Sequence, residues 1–367
     1  MRHWWVSGVV TDHVLEYRAG KQALSIVREH GLRPSDIAAF VLPAIGPKWL
    51  VLVGLDRALL AQGWLQAADR RVLLFGASIG AWRALALAAQ QPQRTHAALV
   101  EAYCGQRFTH ADTPQMISDA YRRLIDQVYD ERDIAHALRH PHFDLAIATV
   151  RARGAFGARH RLAQGLALGA AAVCNVASQR SQAMFFERVI FDSADTEAEA
   201  HPALRDVRGA RVRLRERNAR AVALASGTVP LYMASVRDPL DAPSGAYLDG
   251  GFSDYHINQP LDPGAGLALM GLHQARVVPS WLDKFAPWRN APARTLSRLL
   301  VVSPSRAFVR SLPGSRVPTR DDFTRFVADP QARIERWHDV VSRSDELGAR
   351  FVDDVTTGAL ASRVLPL

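Results

Sequence analysis

Lysine is almost missing from this chain. Lys21, Lys48 and Lys284 are the only examples among 45 basic side chains, and arginine supplies all the others. Set against 36 acidic residues, this gives a formal net charge of +9. The arginine skew reads first as a coding bias. Functionally it reads as attraction to anionic surfaces, either phospholipid head groups or nucleic acid. No basic-aromatic recognition motif accompanies it, which places nucleic acid behind an anionic membrane as a partner. Cysteine is equally scarce. Cys104 and Cys174 offer neither a disulfide framework nor a metal-ligand spacing, and they read as two buried thiols in a reduced, cytoplasmic protein. A run of about 18 uninterrupted apolar residues occurs nowhere, so no transmembrane helix is expected. The stretch Met1–Thr11 lacks the apolar run of a signal peptide. Internal repeats and low-complexity tracts are also missing. The chain does have core material: 48% of its 367 residues are hydrophobic and 22% charged, which excludes global disorder.

The order of apolar segments points to an α/β fold. Ile37–Pro43 reads as a buried strand and is followed by a Gly46-Pro47 turn and an apolar helix from Pro47 to Leu60. Arg71–Phe75 is a second strand, and a small-residue helix runs from Ile79 to Gln90. Strand, helix, strand, helix is the signature of a parallel sheet with crossover helices. A charged helical region follows from Pro114 to Ala137. Further strands are expected at Phe143–Val150, Arg188–Phe191, Val212–Leu214 and Leu299–Val302, with a late amphipathic helix over Pro330–Leu347. Between two of these strands, Leu162–Ser178 is rich in Ala, Gly and Leu. It reads as a tightly packed core helix, the alternative being an apolar insertion that touches a membrane or a second subunit. Pro279–Arg289 interleaves tryptophan with cations, which fits either an ordinary loop over packed tryptophans or a membrane interface. Arg211, Arg213, Arg215 and Arg217 alternate with Val212 and Leu214, as on one solvent-facing strand face.

Gly76-Ala77-Ser78-Ile79-Gly80 is a G-x-S-x-G pentapeptide. Chance alone produces that pattern about 0.1 times in a chain of this composition, so its context matters. Here it follows a strand and opens a helix, as a strand–turn–helix nucleophile elbow requires. Ser78 would stand on a sharp turn with its hydroxyl exposed, and the first N–H groups of the helix would face developing negative charge. A base is then needed. His256 and His273 lie downstream without any distinguishing local pattern. Tyr247-Leu248-Asp249-Gly250-Gly251 places a carboxylate at the end of a short strand, just before two glycines that permit a presenting turn. An ordinary Asp-Gly β-turn is the competing explanation of those residues.

These segments resemble the patatin-like phospholipase family, in order, over roughly residues 37 to 260. Gly76–Gly80 is similar to the family's elbow. Ala225-Ser226-Gly227-Thr228-Val229-Pro230 is similar to its A-S-x-x-[IV]-P segment, and Asp249-Gly250-Gly251, with Asp254 behind it, to its D-G-[GA] motif. Lys48–Leu55 is similar to the helix that follows the family's Gly-rich oxyanion loop. The resemblance implies a Ser78–Asp249 dyad acting without histidine, and an oxyanion site around Gly46 and Lys48. The loop itself departs from the family's G-x-G-x-[KR]-G: Ala44-Ile45-Gly46-Pro47-Lys48-Trp49 keeps only Gly46 and Lys48, and Pro47 has no N–H to donate. No cofactor or metal is implied.

The expected architecture is therefore a three-layer α/β/α sandwich with a largely parallel central sheet and helical additions. Its expected divisions are an N-terminal extension (1–36), a catalytic domain (37–310) with an apolar insertion near 155–183, and a C-terminal helical extension (311–367) packed on the same domain. The expected activity is hydrolysis of lipid carboxylic esters through an acyl-enzyme, with a lipid ester as partner, no nucleic acid, and peripheral contact with an anionic membrane. The alternatives are an α/β-hydrolase using a Ser-Asp-His triad through His256 or His273, or a non-catalytic lipid-binding protein with a degenerate oxyanion loop.

Overall fold

A computed structural model of the chain describes residues 13–64, 70–196, 199–261, 264 and 266–367; the Met1–Thr11 segment discussed above lies outside the described residues. The apolar runs Ile37–Leu42 (β2), Val72–Ala77 (β3) and Phe143–Ala152 (β4) form the middle of one eleven-stranded sheet. Leu15–Ala19 (β1), Leu267–Gly271 (β9), Leu299–Pro304 (β10) and Leu365–Pro366 (β11) complete one side of it. Phe186–Asp192 (β5), Ala210–Arg213 (β6), Val236–Arg237 (β7) and Ala246–Asp249 (β8) complete the other. The strand order is β11-β1-β10-β9-β2-β3-β4-β5-β6, with β8 pairing β4 and β7 pairing β8.

Every residue of β2, β3 and β10 is buried, so helices and loops cover both faces of the sheet centre. At the β1 side the burial alternates: Leu15, Tyr17 and Ala19 turn inward, while Glu16 and Arg18 stay at the surface. The pairing is parallel across β10, β9, β2, β3 and β4. It is antiparallel between β1 and β10, β4 and β5, β4 and β8, and β7 and β8. β1 and β11, and β5 and β6, are parallel as well, so the sheet is mixed, with a parallel centre of five strands. β1, β7, β9 and β11 have no counterpart among the strands expected from the sequence.

The helices differ from expectation in their breaks and their lengths. The region Pro114–Ala137 is two helices, Pro114–Val128 and Glu131–Leu138, because Asp130 leaves helical geometry and its carboxylate caps the Asp133 N–H. The segment after β2 is a 3₁₀ turn, Gly46–Leu52, that continues as the helix Val53–Ala61. The late helix extends from Pro330 to Thr356 and lies tight against Val53–Ala61. Their crossing needs glycine on both sides. A Cβ on Gly54 would sit 2.0 Å from the Ser344 carbonyl oxygen, and one on Gly348 would sit 2.2 Å from that of Gly54. The Gly54 N–H donates to Ser344 Oγ at 2.9 Å across the same contact.

The arginine alternation has a different basis from the one expected. Only Arg211 and Arg213 lie on β6, and Arg217 belongs to the helix Glu216–Ser226, for which Arg215 is the N-cap. Each is matched by a carboxylate: Arg211 by Asp192 at 2.8 Å, Arg213 by Asp195, and Arg215 and Arg217 by Asp241. The Pro313–Pro318 stretch leads directly into a pocket wall at Arg320. Among the described residues, no helix is long and apolar enough to cross a membrane.

Candidate active site

Strand register brings the site together. β3 runs parallel to β4 and ends at Ala77, opposite Ala148. β8 runs antiparallel to β4 and ends at Asp249, opposite Thr149. The two strands therefore meet end to end along one edge of β4. The residue just past β3, Ser78, and the last residue of β8, Asp249, are forced into contact there. Ser78 Oγ donates to Asp249 Oδ2 at 2.8 Å.

Ser78 has φ 56° and ψ −127°, a conformation an L-residue with a side chain rarely adopts, and it is 6% exposed. Its surroundings hold it in that geometry. The Ser78 N–H donates to Ser226 Oγ at 2.8 Å, and Ser226 Oγ donates to the Ala148 carbonyl at 2.7 Å. The Asp249 N–H donates to the Thr228 carbonyl at 2.9 Å. The Ala225–Pro230 segment is thus a strap that ties elbow, β4 and β8 to one another. Ser226 has no role legible in the sequence, since a serine that braces a neighbour's backbone has no local signature. Close approach also explains the glycines. A Cβ on Gly76 would lie 2.5 Å from the Gly80 carbonyl oxygen, and one on Gly80 would lie 1.8 Å from the Leu42 carbonyl oxygen. A Cβ on Gly250 would meet the Ala148 carbonyl oxygen at 2.1 Å, and one on Gly251 would meet Ala44 Cβ at 2.8 Å.

Asp249 is buried, and that burial pushes its pKa above the usual carboxylate value. The hydrogen bonds from Ser78 and from the Gly251 N–H, at 2.7 Å, oppose the rise, as do the charges of Arg320 and Lys284. The net result is a carboxylate more basic than a free one and already in contact with a hydroxyl.

Ser78 opens onto a cleft of about 350 Å³. Gly46 and Pro47 form part of its wall next to Ser78 and Ile79, and Trp82, Tyr121, Phe323 and Arg320 line other parts. Gly46 takes φ +53°, which suits glycine. Trp49, where the resembling family has glycine, is fully buried and packs edge-on against His96 and Tyr103, so it stays out of the cleft. Lys48 sits one residue past the lining. Its ammonium turns toward Tyr255 Oη at 3.4 Å and His273 Nε2 at 3.3 Å, and burial lowers its pKa. Lys284 brings a second ammonium, 3.8 Å from the centre of the Tyr255 ring, and burial together with Lys48 lowers its pKa to about 7. Two of the chain's three lysines thus converge beside one aromatic ring. Arg320 was not foreseen. It lies in the segment expected to be a C-terminal helical extension, and its place in the cleft depends on how that region folds back.

The histidines sit elsewhere. His256 Nδ1 accepts from the Val278 N–H at 2.9 Å, and His273 Nε2 accepts from Lys48. Burial drives both imidazoles toward the neutral form, their pKa values well below the usual one. Among the described residues neither forms a hydrogen bond to Ser78 or Asp249. Asp254 is a structural partner, receiving Arg188 Nε at 2.7 Å and Ser253 Oγ at 2.9 Å.

No known family profile matches this chain, and no curated protein matches it in sequence. Among solved structures it is similar to a human GIVD cytosolic phospholipase A2, with a TM-score of 0.35 and 11% identity. The likeness covers 92% of this chain and 63% of the other, so the chain spans less than two thirds of that protein's length.

Proposed function

We propose that the protein is a serine acyl hydrolase of the patatin-like type that cleaves lipid carboxylic esters through a Ser78–Asp249 dyad. The observation that carries this reading is the 2.8 Å hydrogen bond from Ser78 Oγ to Asp249 Oδ2 at a strained strand-to-helix elbow. Asp249 takes the hydroxyl proton as Ser78 Oγ attacks the ester carbonyl, giving a tetrahedral oxyanion. Collapse expels the alcohol, which receives the proton from Asp249, and leaves an acyl-Ser78 ester. A water molecule, deprotonated by Asp249, then attacks the acyl-enzyme and releases the carboxylic acid.

The oxyanion needs N–H donors that do not already serve the fold. The Ser78 N–H is engaged by Ser226 and Pro47 has none, so this role falls to the loop at Gly46 and Lys48 and to the first turn of the helix Ile79–Leu87. The aromatic cleft walls suit an acyl chain. We also read 37–310 as the catalytic unit, with the terminal segments packed onto it. The triad alternative lacks any hydrogen bond from His256 or His273 to the dyad among the described residues.

Labelling with a fluorophosphonate tests the proposal. Wild type is expected to gain the adduct mass on Ser78, and Ser78→Ala is expected to gain none. A properly folded wild type that stays unlabelled while control hydrolases react would turn the reading toward a non-catalytic lipid-binding protein.

A further inference from the structure

The helix Arg161–Ala177 is built inside out. Its buried side chains include Gln164 and Asn175, while Leu162, Leu166 and Val173 are 72%, 76% and 74% exposed. The expectation of a tightly packed core helix is therefore wrong for this face. With exposed Gly169, Ala170 and Val176 between and beyond them, these residues follow the i, i+3/i+4 spacing of a single helical stripe, and that stripe faces outward. The inward polar residues are satisfied and hold the helix in this orientation. Gln164 Oε1 accepts from the Leu231 N–H at 2.9 Å, and Asn175 Nδ2 donates to Asp283 Oδ1 at 2.9 Å. Rotating the stripe inward would break both.

Two further apolar side chains adjoin the stripe. Arg289 Nη1 donates to Asp283 Oδ1 at 2.7 Å and its Nη2 to the Val176 carbonyl at 3.2 Å, which fastens the 281–289 segment to the C-terminal end of the helix. Trp288, the residue before this fastening, is 66% exposed, and Phe285 is exposed as well. An outward apolar surface of this kind on a folded protein needs a partner.

Charge identifies the partner. Between Asp144 and Glu187 the chain has no acidic residue at all. Arg159, Arg161 and Arg180 flank the stripe, all exposed and, among the described residues, without an acidic partner. A second copy of this chain laid on the same face would bring these arginines against one another, and the segment 145–186 supplies no carboxylate to offset them. A surface that is anionic on its outside and apolar beneath satisfies both features, and that is the composition of an anionic lipid leaflet. Position supports this. Arg161, at the start of the helix, also lines the cleft, and Gln164 holds Leu231, which lines it too. The stripe is therefore continuous with the entrance to Ser78.

We propose that the outward face of the helix Arg161–Ala177, together with Phe285 and Trp288, is the surface on which the protein lies against an anionic bilayer, with its cleft opening toward the lipid. The use of that lipid as substrate rests on the acyl-hydrolase reading above; the docking itself does not require the nucleophile. The test is sedimentation of the full-length protein with phosphatidylglycerol–phosphatidylcholine vesicles, compared with phosphatidylcholine alone, for wild type and for the double variant Leu166→Glu/Val173→Glu. Both positions are exposed, so the double variant should keep the wild-type circular dichroism and the wild-type fluorophosphonate labelling in solution. Wild type should pellet with the anionic vesicles and far less with the neutral ones, and the double variant should bind the anionic vesicles about tenfold more weakly or worse. Equal pelleting of wild type and double variant would overturn the proposal. So would a wild type that ignores vesicles but migrates as a dimer that the double variant dissociates. Vesicle binding lost in the double variant, combined with an unlabelled wild-type Ser78, would keep the docking surface and remove the hydrolase.

Discussion

Replacing Asp249 by asparagine separates the chemistry of the site from its fold. The amide is nearly the same size as the carboxylate. Its oxygen can keep the 2.7 Å hydrogen bond from the Gly251 N–H, so the turn after β8 should survive. The change falls on the other atom: in place of Oδ2, which accepts from Ser78 Oγ at 2.8 Å, there is an NH₂ group that donates. The hydroxyl then has no acceptor for its proton. A lost general base costs about 10²–10⁴ in rate, or about 2.7–5.5 kcal/mol at 1.36 kcal/mol per decade. Asp249 lies behind Ser78 and does not line the cleft. The loss should therefore appear in kcat on a short-chain p-nitrophenyl ester, with KM little changed. Stability should move the other way. Burial raises the pKa of Asp249 in the folded state, so at neutral and alkaline pH the wild type carries the cost of an ionised buried carboxylate and the variant does not. The sign follows from linkage. A folded pKa above the unfolded one gives the wild type its full stability below the unfolded pKa and takes it away as pH rises through the folded pKa. Asp249→Asn should thus melt at a higher temperature than wild type above the folded pKa, and the gap should close on acidification. An activity loss below about tenfold, or one confined to KM, would refute the dyad.

The remaining expectations concern the neighbours of the dyad. His256→Ala and His273→Ala should each leave kcat/KM on the same ester within about threefold of wild type, because neither imidazole is bonded to the dyad; a collapse in either would restore the triad. Arg320→Ala removes a charge that lowers the pKa of Asp249, so the acidic limb of the kcat/KM–pH profile should shift to higher pH, while an unchanged limb would show that the guanidinium does not act on the carboxylate. Asp56 is buried and holds Arg83 of the elbow helix through contacts of 2.7 and 2.9 Å and His96 at 3.1 Å. Asp56→Ala strands a buried guanidinium and should cost about 3–5 kcal/mol in chemical denaturation; a loss under about 1 kcal/mol would show that water reaches Arg83.

Much of this was legible in the sequence because it is local. Apolar runs of strand length marked β2, β3, β4 and β10 as strands, and β2 as a buried one, since that pattern depends only on the residues in the run. The elbow was legible for a similar reason: strand, G-x-S-x-G and helix are contiguous, and Gly76 is fixed by an approach to Gly80 within the motif, although the approach that fixes Gly80 is to Leu42 on β2. Asp249 was half legible, as a carboxylate before two glycines, but an ordinary turn has the same composition. β9 and the break at Asp130 escaped notice because a short apolar run among prolines and glycines, or a capping aspartate within a charged helix, is outweighed by its surroundings.

The composition and order of the residues determined a mixed α/β chain with a serine at a strand-to-helix turn. Tertiary structure alone decided that Asp249 reaches that serine, because this depends on β8 running antiparallel into the edge of β4 that β3 vacates after Ala77. It also brought Arg320 to the cleft and turned Leu162, Leu166 and Val173 outward. The reason is the same in each case. Periodicity reports that one face of an element is apolar, whereas the direction that face points is set by partners far away in sequence, here the hydrogen bonds from Leu231 to Gln164 and from Asn175 to Asp283.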